Sequence, residues 1–168
     1  MSRRRGRAEV VTGANLQSMT DTHGADRTPD APRHAYEAMG LHTAGTLIER
    51  MGIELDEVGA ERVTARMPVA GNTQPAGLLH GGASVVLAET LGSIGASLHA
   101  GRGKAVVGLD INASHHRAAR SGLVTGTATA ISLGRTLACY EVVVTDEDGR
   151  RVCTSRITCL IRDNPPGS

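Results

Sequence analysis

The chain has 168 residues, 40% of them apolar, with no Trp, no Phe and only two Tyr. That length suits one domain with a real core. The core must be aliphatic, and the shortage of rings argues against single-stranded nucleic-acid binding, which stacks bases on aromatics. A net charge of +1 excludes a global field drawing the chain to DNA or to an anionic membrane.

Residues 1–34 carry six Arg, including Arg3, Arg4, Arg5 and Arg7, against four acids, and only Val10, Val11 and Leu16 as large aliphatics. Such a stretch cannot offset the entropy of ordering. It is expected to be a disordered Arg-containing extension, a solvated tail ahead of a domain over 35–163, with a flexible end over 164–168. In the run 36–51, Met39, Thr43, Leu47 and Met51 recur at steps of four and predict an opening helix weakened by Gly40 and Gly45. Alternation over 52–58 and 61–69 predicts a hairpin, with Val63, Ala65, Met67 and Val69 on one face. Residues 71–79, with Asn72, Pro75 and Gly77, read as a loop.

Residues 82–100 form the one strong helix signal. Its apolar positions leave almost no polar face, so the helix is expected to be enclosed. Small residues from Gly92 to Ser97 thin one stretch and allow close backbone approach. Four strand-like segments follow, at 105–115, 122–133, 136–145 and 151–162, with Asp146-Glu147-Asp148-Gly149 as a tight turn. One enclosed helix beside six mostly antiparallel strands gives an α+β fold in which a curved six-stranded sheet wraps round a long central helix.

Cys139, Cys153 and Cys159 are odd in number and lack CxxC spacing. This points to a reducing compartment and to packing for the last two, with no disulfide framework and no metal site. No apolar segment follows the basic N-terminus, and the apolar stretch over 83–98 is broken by Glu89, Thr90, Gly92 and Ser93. A cytoplasmic protein that contacts neither membrane nor nucleic acid is expected. A phosphate-cradling loop fails because Leu98 stands where the first glycine belongs, and Gly82-Ala83-Ser84-Val85-Val86 lacks the second glycine of a nucleophile elbow. His115 and His116 are adjacent on a strand and face opposite sides.

The informative stretch runs from Gln74 through His80-Gly81-Gly82 to Glu89. Glu89 lies inside a helix that wants burial, where an unpaired carboxylate is costly. Gly81 and Gly82 are expected to present free backbone N–H groups at the positive end of that helix, a ready site for an oxyanion. His80 precedes them, Gln74 offers an amide, and Ser93 sits one turn beyond Glu89, where it could hold a water. These are the parts of acyl transfer: a carboxylate base or nucleophile and donors for the developing oxyanion.

The run GLLHGGASVVLAETLGSIGA after Gln74, followed by VVGLDINASHHRAAR and SLGRT, resembles the hotdog-fold acyl-CoA thioesterases. It is most similar to the branch of the 1,4-dihydroxy-2-naphthoyl-CoA and enterobactin-pathway proofreading thioesterases, related to the 4-hydroxybenzoyl-CoA and phenylacetate-pathway enzymes. The likeness spans about residues 36–162. It implies a hotdog fold and hydrolysis of an acyl-CoA, of aromatic type, with no cofactor because CoA is part of the substrate. It implies Glu89 as the carboxylate that attacks the thioester or activates water, and Gly81 as the N–H that polarises its carbonyl. Gln74 and His80 would orient the site and Ser93 would position water. Gly82, Thr90 and His115 would line the substrate pocket, while Arg117, Gly134, Arg135 and Thr136 would grip CoA. The order Gly134-Arg135-Thr136 departs from the Gly-Ser-Arg of close relatives. The resemblance also implies a site shared across a dimer, with dimers pairing into tetramers.

Plainer roles stand beside these: His115 as a hydrogen-bonded sheet residue, Ser93 as a small packing residue, and Arg117 and Arg135 as solvated charges. Two other activities stay open on the sequence. One is a hotdog dehydratase or hydratase of 3-hydroxyacyl thioesters, which needs a His–acid pair that His80 and Glu89 only loosely imitate. The other is a non-catalytic acyl-CoA sensor using the Arg-rich extension on DNA, against which stands the lack of a helix-turn-helix signature.

Overall fold

A computed structural model describes residues 42–163. The proposed extension over 1–34, residues 36–41 of the predicted opening helix and the tail after 163 lie outside the described residues. In chain order the elements are α1 (Leu47–Arg50), β1 (Glu54–Val58), β2 (Arg62–Pro68), α2 (Gly81–Ala100), β3 (Lys104–His115), β4 (Leu123–Leu133), β5 (Leu137–Thr145) and β6 (Arg151–Asp163). The strands form one antiparallel sheet in the order β1-β2-β4-β5-β6-β3. The sheet is curved round α2 in the hotdog arrangement.

Among the described residues 42–51 of the predicted opening helix, only Leu47–Arg50 is helical. Gly45 takes φ +74°, a left-handed conformation that breaks a right-handed helix, so α1 begins only after Thr46. The hairpin follows the expected alternation, with Val63, Ala65, Met67 and Val69 fully buried. In β1 the register slips between Leu55 and Glu57, which is why the alternation there is imperfect. The turn after β5 is tied by Asp146, whose Oδ1 accepts from the N–H groups of Asp148 (3.1 Å) and Arg150 (2.9 Å).

Helix α2 packs against the sheet through glycine. A Cβ on Gly92 would overlap Ile157 of β6, and one on Gly95 would lie 2.8 Å from the Tyr140 ring of β5. Their absence lets the helix backbone settle directly onto two central strands. The core between them is aliphatic, as the composition requires: Val63, Met67, Leu87, Leu91, Val124, Val142, Val144 and Ile157 are fully buried. Tyr140 is the ringed exception, and its hydroxyl donates to the Ala60 carbonyl at 2.7 Å. Cys153 and Cys159 are buried thiols on the same face.

Enclosure of α2 is one-sided. Ala83, Ser84, Leu87, Ala88, Leu91, Ile94 and Gly95 are buried against the sheet. Val85, Val86, Glu89, Thr90, Ser93 and Ser97, on the other side, are only half-buried. The sheet wraps one face of the helix, not all of it. No helix among the described residues is long and apolar enough to cross a membrane.

Candidate active site

The loop leading into α2 is held by Asn72. Its side-chain amide donates to the carbonyls of Met51 (2.9 Å) and Pro68 (2.8 Å), and its own carbonyl accepts from the His80 N–H at 2.9 Å. Gln74 heads the turn inside this loop: its N–H donates to the Leu78 carbonyl, and its carbonyl accepts from Gly77, whose φ of +75° suits glycine. The Gln74 side chain is half-buried and makes no hydrogen bond among the described residues. His80 then caps the helix in extended backbone conformation (φ −67°, ψ 132°).

The cap corrects one expectation. The Gly82 N–H is not free: it donates to His80 Nδ1 at 2.8 Å. Because the amide is the donor, Nδ1 carries no proton and the neutral ring is protonated at Nε2. A Cβ on Gly82 would lie 2.9 Å from that Nδ1, so glycine here makes room for the cap. The Gly81 N–H, by contrast, has no partner among the described residues. It stands in the first turn of a 20-residue helix, where orphan donors and the helix dipole favour negative charge. The His115 ring lies against it, since a Cβ on Gly81 would come 2.8 Å from His115 Nε2. His116 faces the other way and bonds Thr154 Oγ1 at 2.9 Å.

Glu89 is built into a different setting. Among the described residues its carboxylate has neither an ion-pair partner nor a hydrogen bond. It lies across the backbone of Gly108 in β3, filling the space a Cβ would take. Gly108 is paired across the sheet with Cys159, whose thiol lies within reach of the Ser93 hydroxyl and close to Glu89. Loss of hydration raises the Glu89 carboxyl above its ordinary value, and burial pushes the Cys159 thiol up as well. Thr90 is half-buried beside Glu89. The Ser93 hydroxyl therefore has a thiol neighbour in addition to any water.

The structure thus brings these residues into two groups. Gly81, His80 and His115 meet at the start of α2; Glu89, Ser93 and Thr90 share its middle. Eight residues separate Gly81 from Glu89, an axial rise of about 12 Å. One thioester carbonyl cannot touch both in a single chain, whose carbon and oxygen each need a partner at about 3 Å. Gly134 lies farther still, at the other end of α2, its carbonyl 3.0 Å from His99 Nε2. Arg135 and Thr136 are exposed beside it, while exposed Arg117 follows His116 near the Gly81 end. Asn72 and Gly108 were not legible as site residues. A glycine inside a strand pattern, which signals a bulge or a close approach, was the available sign for Gly108.

Residues 76–153 match the thioesterase superfamily model. The chain is 49% identical over 131 residues to the proofreading thioesterase EntH of Cronobacter turicensis, covering 77% of this chain and 96% of that one. Among solved structures, a Haemophilus influenzae thioesterase classed as EC 3.1.2.- is 43% identical, with a TM-score of 0.69 over 72% of this chain and 85% of its own. A Pseudomonas aeruginosa thioesterase, solved as a single-residue mutant, is 36% identical with a TM-score of 0.73, covering 82% of this chain and 98% of its own.

Proposed function

Because the chain belongs to the thioesterase superfamily and is a thioester hydrolase acting on an acyl-CoA-type substrate, we propose that Glu89 carries the reaction and that Gly81 holds the thioester oxygen. The products are the free acid and CoA, the acyl group being of the hydroxybenzoyl, phenylacetyl or 1,4-dihydroxy-2-naphthoyl kind. In the general-base route Glu89 takes a proton from water as the water oxygen attacks the thioester carbon. In the nucleophilic route a carboxylate oxygen of Glu89 itself bonds the thioester carbon, the C–S bond breaks and CoA leaves as the thiolate, and water then opens the mixed anhydride left on Glu89 to release the free acid. Either way the negative charge that builds on the carbonyl oxygen meets the Gly81 N–H at the positive end of α2. CoA enters as part of the substrate, so no cofactor takes part.

The observation that carries this reading is a poorly hydrated carboxylate on the same helix as an N-terminal amide, neither of which has a partner among the described residues. The 12 Å between them supports a dimer. Strand β3 is a sheet edge that exposes Val107 and Leu109, the latter 56% accessible, and an unpaired apolar edge is a template for pairing. Antiparallel pairing of two β3 strands about a two-fold axis sets the Gly108 end of one beside the His115 end of the other. Glu89 then faces Gly81 of the partner subunit, each dimer holding two equivalent sites. Pairing of such dimers into tetramers belongs to the same proposal, with Arg117, Arg135, Gly134 and Thr136 meeting CoA across subunits.

A thiol-release assay on benzoyl-CoA tests the core of it. Glu89→Gln keeps the side-chain shape and removes the base, so turnover should fall by at least about a hundredfold while the protein stays folded by circular dichroism. Near-normal turnover in this variant sinks the mechanism.

A further inference from the structure

We propose that Gly108, together with the bulge that follows it, is a positioning residue that sets where the Glu89 carboxylate lies; this rests on Glu89 being the reacting group. Gly108 does not have φ in the left-handed region, so its backbone would accept any side chain. Room is the reason for glycine. An ideal Cβ would overlap Glu89 Oε1 and stand 3.4 Å from Cδ and 3.7 Å from Oε2. The carboxylate therefore rests on a bare stretch of strand, with the Cys159 backbone as the next rung of the ladder.

The bulge explains how one strand serves both halves of the site. Cys153, Ser155, Ile157, Cys159 and Ile161 of β6 are all buried and so face α2. Their partners on β3 are His115, Ala113, Ile111, Gly108 and Val106, with the register slipping between Gly108 and Asp110. The helix-facing positions are even-numbered before Leu109 and odd-numbered after it. In an unbroken strand, side chains alternate without exception. A strand that turned Gly108 to the helix would then turn His115 away. The single extra residue lets β3 present a bare support to Glu89 and an imidazole to Gly81 on one face.

The test is a double-mutant cycle in the full-length enzyme, using benzoyl-CoA as the probe. Gly108→Ala puts a methyl group where Oε1 lies and should lower kcat about tenfold to a hundredfold, the scale of a misplaced catalytic group, with KM little changed. The displaced carboxylate regains water, so the acid limb of the pH profile should move down towards the ordinary carboxylate range. Glu89→Asp retracts the carboxylate by one methylene and loses activity alone. In Gly108→Ala/Glu89→Asp the shorter side chain leaves space for the methyl, so the double variant should lose less than the product of the two single losses. Wild-type kcat and pH profile in Gly108→Ala, or strictly multiplicative losses, overturn the proposal. Should Gly108→Ala fail to fold, recovery of folding by Glu89→Asp reads the same contact, and no recovery overturns it. Failure of the underlying mechanism looks different: Glu89→Gln would then keep its turnover whatever Gly108 does.

Discussion

Replacing Gly81 with proline removes one hydrogen-bond donor and almost nothing else. Gly81 is the first residue of α2, the position where proline is best tolerated because its ring presets a helical φ and its missing N–H is an orphan anyway. The preceding residue must be extended, and His80 already is, at φ −67° and ψ 132°. The nearest neighbour of the added Cβ is the His115 ring, 2.8 Å away. Gly81→Ala carries the same Cβ and keeps the N–H, so it isolates that contact. Loss of a single oxyanion donor typically lowers kcat by about 10²–10³-fold. Gly81→Pro should fall by that much and Gly81→Ala by far less. The same variant also tests the shared site. If Glu89 of one subunit works with Gly81 of the other, a mixed Gly81→Pro/Glu89→Gln dimer contains one site with both defects and one with neither. Random co-assembly makes half of the dimers mixed, so activity should return to about a quarter of wild type. A mixture no more active than the sum of its parents would show that each site lies within one chain and that the dimer argument from the 12 Å separation is wrong.

Glu89 also leaves a mark on stability. Because lost hydration raises its carboxyl above the ordinary value, the folded state holds the proton over a pH window in which the unfolded chain has released it. Stability therefore falls as pH rises through that window. Glu89→Gln lacks this penalty: it should melt at the same temperature as wild type in acid below the ordinary carboxylate range, and higher at neutral pH. A neutral-pH variant that melts lower would mean the carboxylate has a partner. Gly92→Ala adds a methyl into Ile157 at a contact between a helix and a central strand. Overpacking of this kind costs about 1–3 kcal/mol, which urea denaturation should detect as a lower midpoint with an unchanged slope.

Elements with one dominant local signal were legible. The strands β2 to β6 were expected to within a residue or two of where they lie, because a half-buried strand writes its period of two directly into the chain. The helix was legible as apolar nearly all round, but which side the sheet covers depends on where the backbones approach, and Gly92 and Gly95 decide that only against Ile157 and Tyr140. The candidate residues from Gln74 to Ser93 stood out because they cluster in sequence. What did not stand out lies far off in the chain. Gly108 matters through Glu89, nineteen positions away, and its importance depends on a register slip that no local pattern encodes. The Gly82 cap was hidden for another reason: His is not among the preferred capping residues, and two adjacent glycines look alike until one amide is seen to be taken.

The scarcity of aromatic residues limits how selective the acyl pocket can be. Among the described residues Tyr140 is the one phenol ring, and it is committed to the core, fully buried beneath Gly95 with its hydroxyl held by Ala60. Tyr36 lies outside the described residues. Around Glu89 the available surface is Gly108 backbone, the small side chains of Thr90 and Ser93, and aliphatic neighbours such as Val86. Among the described residues an aromatic acyl group would meet no phenyl or phenol ring there, only the imidazoles of His80 and His115 at the Gly81 end. Pockets of this kind discriminate weakly, since one methylene more or less changes kcat/KM by only about 10–200-fold. Benzoyl-CoA and a straight-chain acyl-CoA of similar bulk should therefore differ by no more than about a hundredfold in kcat/KM. A preference for one acyl group above about 10⁴-fold would refute this, because discrimination on that scale requires buried polar groups left unpaired by the wrong substrate.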